Sequence, residues 1–229
     1  MRFLSSTRYG APARLFNAMA AGLVLLLLGL TPGASPGPAA AEAAPVRVLA
    51  FGDSLTAGYG LPSGQSFPDR LEAALREAGH EVEIVNAGVS GDTTAGGLAR
   101  LDWSLAERPD AVILALGAND GLRGIDPDTT RANLDAILTR LGELDLPVLV
   151  AGMYAPPNLG PEYGRRFNAI FPDLARKHGA TLYPFLLEGV AMEPALNQAD
   201  GIHPNQDGVA VIVEGILPHV GPLLEAARS

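Results

Sequence analysis

Five short apolar runs alternate with longer segments of helical character, and that alternation leaves few folds open to this chain. Val46 to Phe51, Val82 to Val85, Ala111 to Leu116, Val148 to Ala151 and a short run around Thr181 to Tyr183 each have the length and apolar character of a buried strand. Between them lie helical patterns. Phe67 to Ala78 carries Leu71, Ala74 and Leu75 at helical spacing and stops at Gly79. Thr94 to Ala106 follows, then a helix opened by Asp126-Pro127 with Leu134, Ile137, Leu138 and Leu141 on one face. Another helix is expected around Tyr163 to Lys177, and a last one within Gln206 to Ala227, interrupted near Pro218. Strands buried on both faces and joined by helical crossovers form a parallel sheet covered by helices on each side. The expected class is α/β, a three-layer α/β/α flavodoxin-like fold with a five-stranded parallel sheet.

The fold begins after a leader. Arg2, Arg8 and Arg14 make a basic start, Ala18 to Leu30 is an almost unbroken apolar run, and Thr31 to Ala44 is rich in Pro, Gly, Ser and Ala. Ala39-Ala40-Ala41 is a small-x-small cleavage pattern, so residues 1–41 are expected to be a cleaved secretory signal peptide, with Ala43 as an alternative cut. The competing reading, an uncleaved anchor, suffers from an apolar run shorter than the ~20 residues a spanning helix needs. Residues 42–229 then form one domain without an internal repeat. Removing the three leader arginines takes the net charge from −9 to −12. Such an acidic surface disfavours nucleic acid and anionic membranes as partners, and no stable membrane insertion is expected after processing. The sequence has no cysteine, which excludes disulfides, thiolate metal sites and a cysteine nucleophile.

In a parallel sheet, ligands bind beyond the carboxyl ends of the strands. Ser54 follows the first strand, Asn86-Ala87-Gly88 the second, Gly117-Ala118-Asn119-Asp120 the third, and Asp200-Gly201-Ile202-His203-Pro204 lies between the fifth strand and the last helix. A serine hydroxyl attacks a carbonyl only when an imidazole takes its proton and a carboxylate orients that imidazole. Ser54, His203 and Asp200 fit those roles. The backbone N–H groups of Ser54 and Gly88 and the side-chain amide of Asn119 are the expected oxyanion donors. Taken singly, a serine, glycine or asparagine after a strand is more often plain turn chemistry. Asp53 is read as structural, bonding within its own turn. His80, His178 and His219 have no carboxylate nearby in sequence, and Arg123, Arg165 and Arg166 read as solvated loop charges. No residues stand at metal-ligand spacing around Asp200 and His203, so no metal or cofactor is expected.

Taken in order, Gly52-Asp53-Ser54-Leu55, Gly88, Gly117-x-Asn119-Asp120 and Asp200-x-x-His203-Pro204 resemble the four blocks of the SGNH (GDSL) hydrolases. Phe51 to Tyr59, Ser90 to Thr94, Gly117 to Gly124, Tyr163 to Asn168 and Asp200 to Asn205 extend the likeness to the family's periplasmic thioesterase I, lysophospholipase L1 and arylesterase branch. That resemblance implies a serine esterase acting on acyl esters and thioesters through an acyl-enzyme on Ser54. Gly88 and Asn119 would complete the oxyanion hole, and Asp200 and His203 the triad. Ala118 stands where relatives often carry glycine, with a stiffer Gly117 to Gly124 loop as its expected effect.

Export points to lysophospholipids and other lipid esters rather than acyl-CoA as the substrates met in place, by a monomeric periplasmic or secreted enzyme. Two alternatives stand beside this reading. One is a carbohydrate O-acetylesterase of the same fold. The other is a non-catalytic binding module, although the chain lacks Gly-x-Gly-x-x-Gly after its first strand and any P-loop lysine.

Overall fold

Residues 44–229 are described by the computed structural model; the expected leader over residues 1–41 lies outside the described residues. Five parallel strands, β1 (Val46–Gly52), β2 (Val82–Gly88), β3 (Ala111–Ala115), β4 (Val148–Ala151) and β5 (Thr181–Tyr183), form one sheet in the order β2-β1-β3-β4-β5. The chain runs from β1 outward to β2, then returns across β1 to β3. This reversal opens a crevice at the carboxyl ends of β1 and its neighbours. Register brings Gly52 opposite both Gly88 and Ala115, so three loops leave the sheet at one level.

The helices are α1 (Ser54–Ala57), α2 (Phe67–Glu77), α3 (Thr94–Ser104), α4 (Ala118–Leu122), α5 (Pro127–Gly142), α6 (Gly160–Asn168), α7 (Ile170–His178) and α8 (Gln206–Ala227). Helix α2 packs on α8 and β2, while α5 packs on both α3 and α7. Local chemistry explains their starts. Ser66 and Asp69 form a reciprocal capping box at α2, and Asp126 accepts from the Asp128 N–H ahead of Pro127 in the first turn of α5. Every residue of β3 is buried, and Leu49, Phe51, Ile113, Leu114 and Leu149 form the centre of the core.

Three expectations need correction. Strand β2 runs on to Gly88, because Asn86, Ala87 and Gly88 pair with Ala50, Phe51 and Gly52 instead of forming a loop. The expected Tyr163 to Lys177 helix is two helices joined at Ala169. Pro172 has no N–H for the Asn168 carbonyl, and that missing bond is where the two segments part. Helix α8, by contrast, is continuous through Pro218 and Pro222. Pro218 lies on the exposed face, where the Glu214 carbonyl that its ring leaves unbonded is on the solvent side. Val209, Ile212, Val213, Ile216, Val220, Leu223 and Leu224 bury the opposite face, and their packing outweighs the ~3 kcal/mol a mid-helix proline costs.

Candidate active site

Ser54 is the first residue of α1, immediately beyond β1. Asp53 caps that helix, accepting the Leu55 N–H at 3.0 Å, so the chain turns sharply and the serine faces the crevice. The loop before α8 supplies the histidine. Asn197 is its anchor, donating to Val190 O at 2.7 Å and Glu193 O at 2.8 Å and bridging to Pro204. Gln198 ties the same loop to the first one by donating to Tyr59 O at 2.7 Å.

These anchors bring residues 149 positions apart into contact: His203 Nε2 lies 3.0 Å from Ser54 Oγ. Asp200 Oδ2 lies 2.7 Å from His203 Nδ1, and its other oxygen accepts the Ile202 and His203 N–H groups at 3.0 and 3.1 Å. The His203 bond, followed by those two amides, holds the Asp200 carboxyl down at about 2. An ionised Asp200 requires the proton of neutral His203 to sit on Nδ1. That leaves the Nε2 lone pair facing the serine hydroxyl. The Tyr59 ring lies 4.6 Å from the imidazole, centroid to centroid, and covers it.

Asn119, on α4, donates through Nδ2 to Asp92 O at 2.9 Å and, through a long 3.4 Å bond, to Asp53 Oδ2. Asp120 fastens that short helix. Its buried carboxylate accepts the Thr94 N–H at 2.8 Å, the Thr94 hydroxyl at 2.5 Å and the Thr130 hydroxyl at 3.1 Å. The stretch expected as a loop stiffened by Ala118, Gly117 to Gly124, is mostly helix, with Ala118 in its first turn and on the cavity wall.

The structure does not bring Gly88 into this group. Its N–H donates to Asn86 Oδ1 at 3.0 Å, and it lies against the backbone of Thr56 and Ala57, where a Cβ would overlap the chain. Gly88 is a packing glycine. Gly91 instead lines the cavity beside Ser54 and Asn119, at φ +82° in the left-handed region. Among the described residues, neither the Gly91 nor the Ser54 N–H has a protein acceptor. Sequence reasoning missed Gly91, although Ser90-Gly91-Asp92 had been singled out as part of the family likeness. Gly88 stands in Asn86-Ala87-Gly88, the stretch that follows the expected strand end at Val85. The pairing that extends β2 to Gly88 moves the turn three residues on.

The remaining polar residues also resolve. His178 does have a carboxylate: its Nε2 lies 2.6 Å from Asp135 Oδ1, beside Lys177 on the same aspartate. Arg165 pairs with Glu162, and Arg166 with Asp126 and Asp128, all on or next to helices. Arg123 donates to Gly91 O at 2.7 Å. None of the described residues form a cluster able to hold a metal ion.

Asp53 is fully buried. Desolvation pushes its carboxyl up to about 6 against the pull of the Leu55 and Asn119 donors. The linkage follows from proton counting. Between 3.8 and about 6 the folded chain keeps a proton that the unfolded chain releases, so stability falls as pH rises through that window and levels off above it. In Asp53→Asn, which keeps an oxygen for Leu55, that fall of up to about 3 kcal/mol is expected to vanish. Denaturant midpoints from pH 4 to 8 check it. A variant curve parallel to the wild type would show that another group carries the dependence.

An apolar cavity of about 490 Å³ opens at Ser54. Leu55, Leu122, Met153, Phe185, Leu187 and Met192 contribute its walls, and Tyr154 stacks on Phe185 at 4.5 Å. Tyr59, Leu122, Tyr154, Met192 and Ile202 are exposed around its mouth. The site thus combines a serine–histidine–aspartate array, two backbone N–H groups beside it without a protein acceptor and an apolar receptacle.

Residues 50–211 match the GDSL-like Lipase/Acylhydrolase family. The chain is 40% identical over 184 residues to Esterase TesA of Pseudomonas aeruginosa, covering 80% of this chain and 92% of that one. It is 37% identical over 183 residues to the Thioesterase 1/protease 1/lysophospholipase L1 of Escherichia coli K12, covering 80% and 86%. Among solved structures, AlinE4, an SGNH-hydrolase family esterase, superposes with a TM-score of 0.68 at 48% identity over 80% of this chain and 98% of that one.

Proposed function

The chain belongs to the GDSL-like lipase/acylhydrolase family and is a carboxylic-ester hydrolase, and from that premise we propose that it works through an acyl-enzyme on Ser54. One observation carries the reading. The 3.0 Å contact of Ser54 Oγ with His203 Nε2 continues to Asp200 at 2.7 Å and lies at the mouth of an apolar cavity.

In this mechanism Ser54 Oγ attacks the carbonyl carbon while His203 Nε2 takes its proton. The imidazolium that forms is stabilised by Asp200, which stays ionised at any pH above about 2. Negative charge collects on the former carbonyl oxygen. The Ser54 and Gly91 N–H groups receive it, together with the Asn119 Nδ2 hydrogen that now makes only the long bond to Asp53. Collapse of the intermediate breaks the bond to the alcohol or thiol, which leaves with the proton from Nε2. Water, deprotonated by the same nitrogen, then releases the acid and restores Ser54. Gly91 takes the role that sequence reasoning gave to Gly88.

The substrates are small-molecule acyl esters. The cavity favours an acyl chain well beyond acetyl, since an acetyl group would leave most of 490 Å³ of apolar wall uncovered. This weighs against the carbohydrate O-acetylesterase alternative. We place lysophospholipids and other lipid esters first among natural substrates, met outside the cytoplasm by a monomer whose residues 1–41 direct export. The test is a panel of p-nitrophenyl esters from acetyl to palmitoyl, with a fluorophosphonate used to trap the nucleophile. A maximum at medium or long chains and a single adduct on Ser54 are expected. A sharp acetyl maximum would return the sugar-esterase reading, and absence of an adduct would return the binding module.

A further inference from the structure

Arg100, on α3, does not line the cavity, yet it touches the two backbone segments that lead to Ser54 and to Gly91. Its Nε donates to Asp92 Oδ2 at 2.6 Å, one terminal nitrogen to Ala87 O at 2.9 Å and the other to Gly52 O at 2.8 Å. The guanidinium lies over the Phe51 ring, 4.2 Å from its centroid, and both members of the Arg100–Asp92 pair keep only 17% of their side-chain surface exposed. Gly52 ends β1 two residues before Ser54, Ala87 lies at the end of β2, and Asp92 follows Gly91 directly. Asp92 also offers its carbonyl to Asn119 Nδ2 at 2.9 Å.

We propose that Arg100, held by Asp92, is a positioning residue that fixes the Gly91 N–H and the Asn119 amide relative to Ser54. The proposal rests on the reading of Gly91 and Asn119 as oxyanion donors. Arginine suits the position because one planar fork reaches a carboxylate and two carbonyls while stacking on an aromatic face. Lysine supplies the charge but not the fork. Without the clamp, the Gly91–Asp92 turn keeps the Arg123 bond to Gly91 O and the Asp92 N–H bond to Val89 O, and a shift of its Asp92 side moves both the Gly91 amide and the acceptor that orients Asn119. Donors set for a developing charge lose their effect when displaced by a fraction of an ångström. Substrate binding in the apolar cavity does not use them.

The experiment is a double-mutant cycle on the full chain between Arg100→Met and Asn119→Ala, with Arg140→Met as a control because Arg140 only pairs with Asp102 and Glu143 at the surface. Arg100→Met is expected to lower kcat about 10²-fold with KM changed less than about threefold. In the Asn119→Ala background the same change is expected to lower kcat less than about tenfold, because the two act through one site. Arg140→Met should leave kcat where it was. Losses that multiply, or an unchanged kcat in Arg100→Met, overturn the proposal and leave the oxyanion reading standing. An unchanged kcat in Asn119→Ala alone overturns the oxyanion reading and this inference with it. If Arg100→Met does not fold, Arg100→Lys takes its place in the cycle under the same criteria, with a smaller expected loss.

Discussion

Replacing Ser54 with alanine is expected to reduce kcat on p-nitrophenyl esters by about 10⁶-fold, with KM little changed. The serine oxygen is the group within 3.0 Å of the imidazole that would accept its proton, so removing it removes covalent catalysis altogether. What remains is attack by water assisted by the oxyanion donors. Ser54 sits in the first turn of a capped helix, half-buried, and loses only a hydroxyl, so folding should be unaffected. Steady-state kinetics beside a thermal melt make the check. A correctly folded Ser54→Ala protein with more than a trace of wild-type turnover would remove Ser54 as nucleophile.

The second large effect is expected from Asp200→Asn, a loss of about 10³–10⁴ in kcat. The carboxylate accepts from His203 Nδ1 and is strongly acidic because of that bond and two backbone amides. An asparagine oxygen is able to keep the Ile202 and His203 amides. Its NH₂ group then faces Nδ1 and forces the imidazole proton onto Nε2. In that tautomer a hydrogen, not a lone pair, faces Ser54. Because the Asp200 carboxyl is held down at about 2, wild-type activity lost on acidification in the range pH 4 to 7 cannot come from protonation of Asp200. A pH–rate profile for wild type and variant, with a melt for each, tests this. A variant within tenfold of wild type would mean that the orientation of His203 rests on the loop anchors Asn197 and Gln198 instead.

Much of the scaffold follows from local rules. The bounds of β4 and β5 and the starts of α2, α3 and α5 coincide with the apolar runs, caps and prolines that predict them. Where local rules fail, a partner distant in sequence has acted. Pairing with β1 extends β2 past the apolar run, and burial of one face carries α8 through two prolines. The Asp135 partner of His178 lies 43 residues away on another helix. Arg100 shows the same limit, because nothing near it in sequence says that it reaches the ends of two strands.

The sequence by itself determined the parallel α/β architecture, the family, and the candidates Ser54, Asn119, Asp200 and His203, because periodicity, turn chemistry and motif order are local properties. The tertiary structure decided which glycine lines the cavity beside Ser54. Gly88 and Gly91 are three residues apart in one loop-like stretch. Only the register of β2 against β1 assigns Gly88 to the packed sheet edge and leaves the Gly91 amide free at the cavity. Strand register is a contact between segments more than thirty residues apart. Its energy lies in hydrogen bonds and burial that exist only once the sheet has formed.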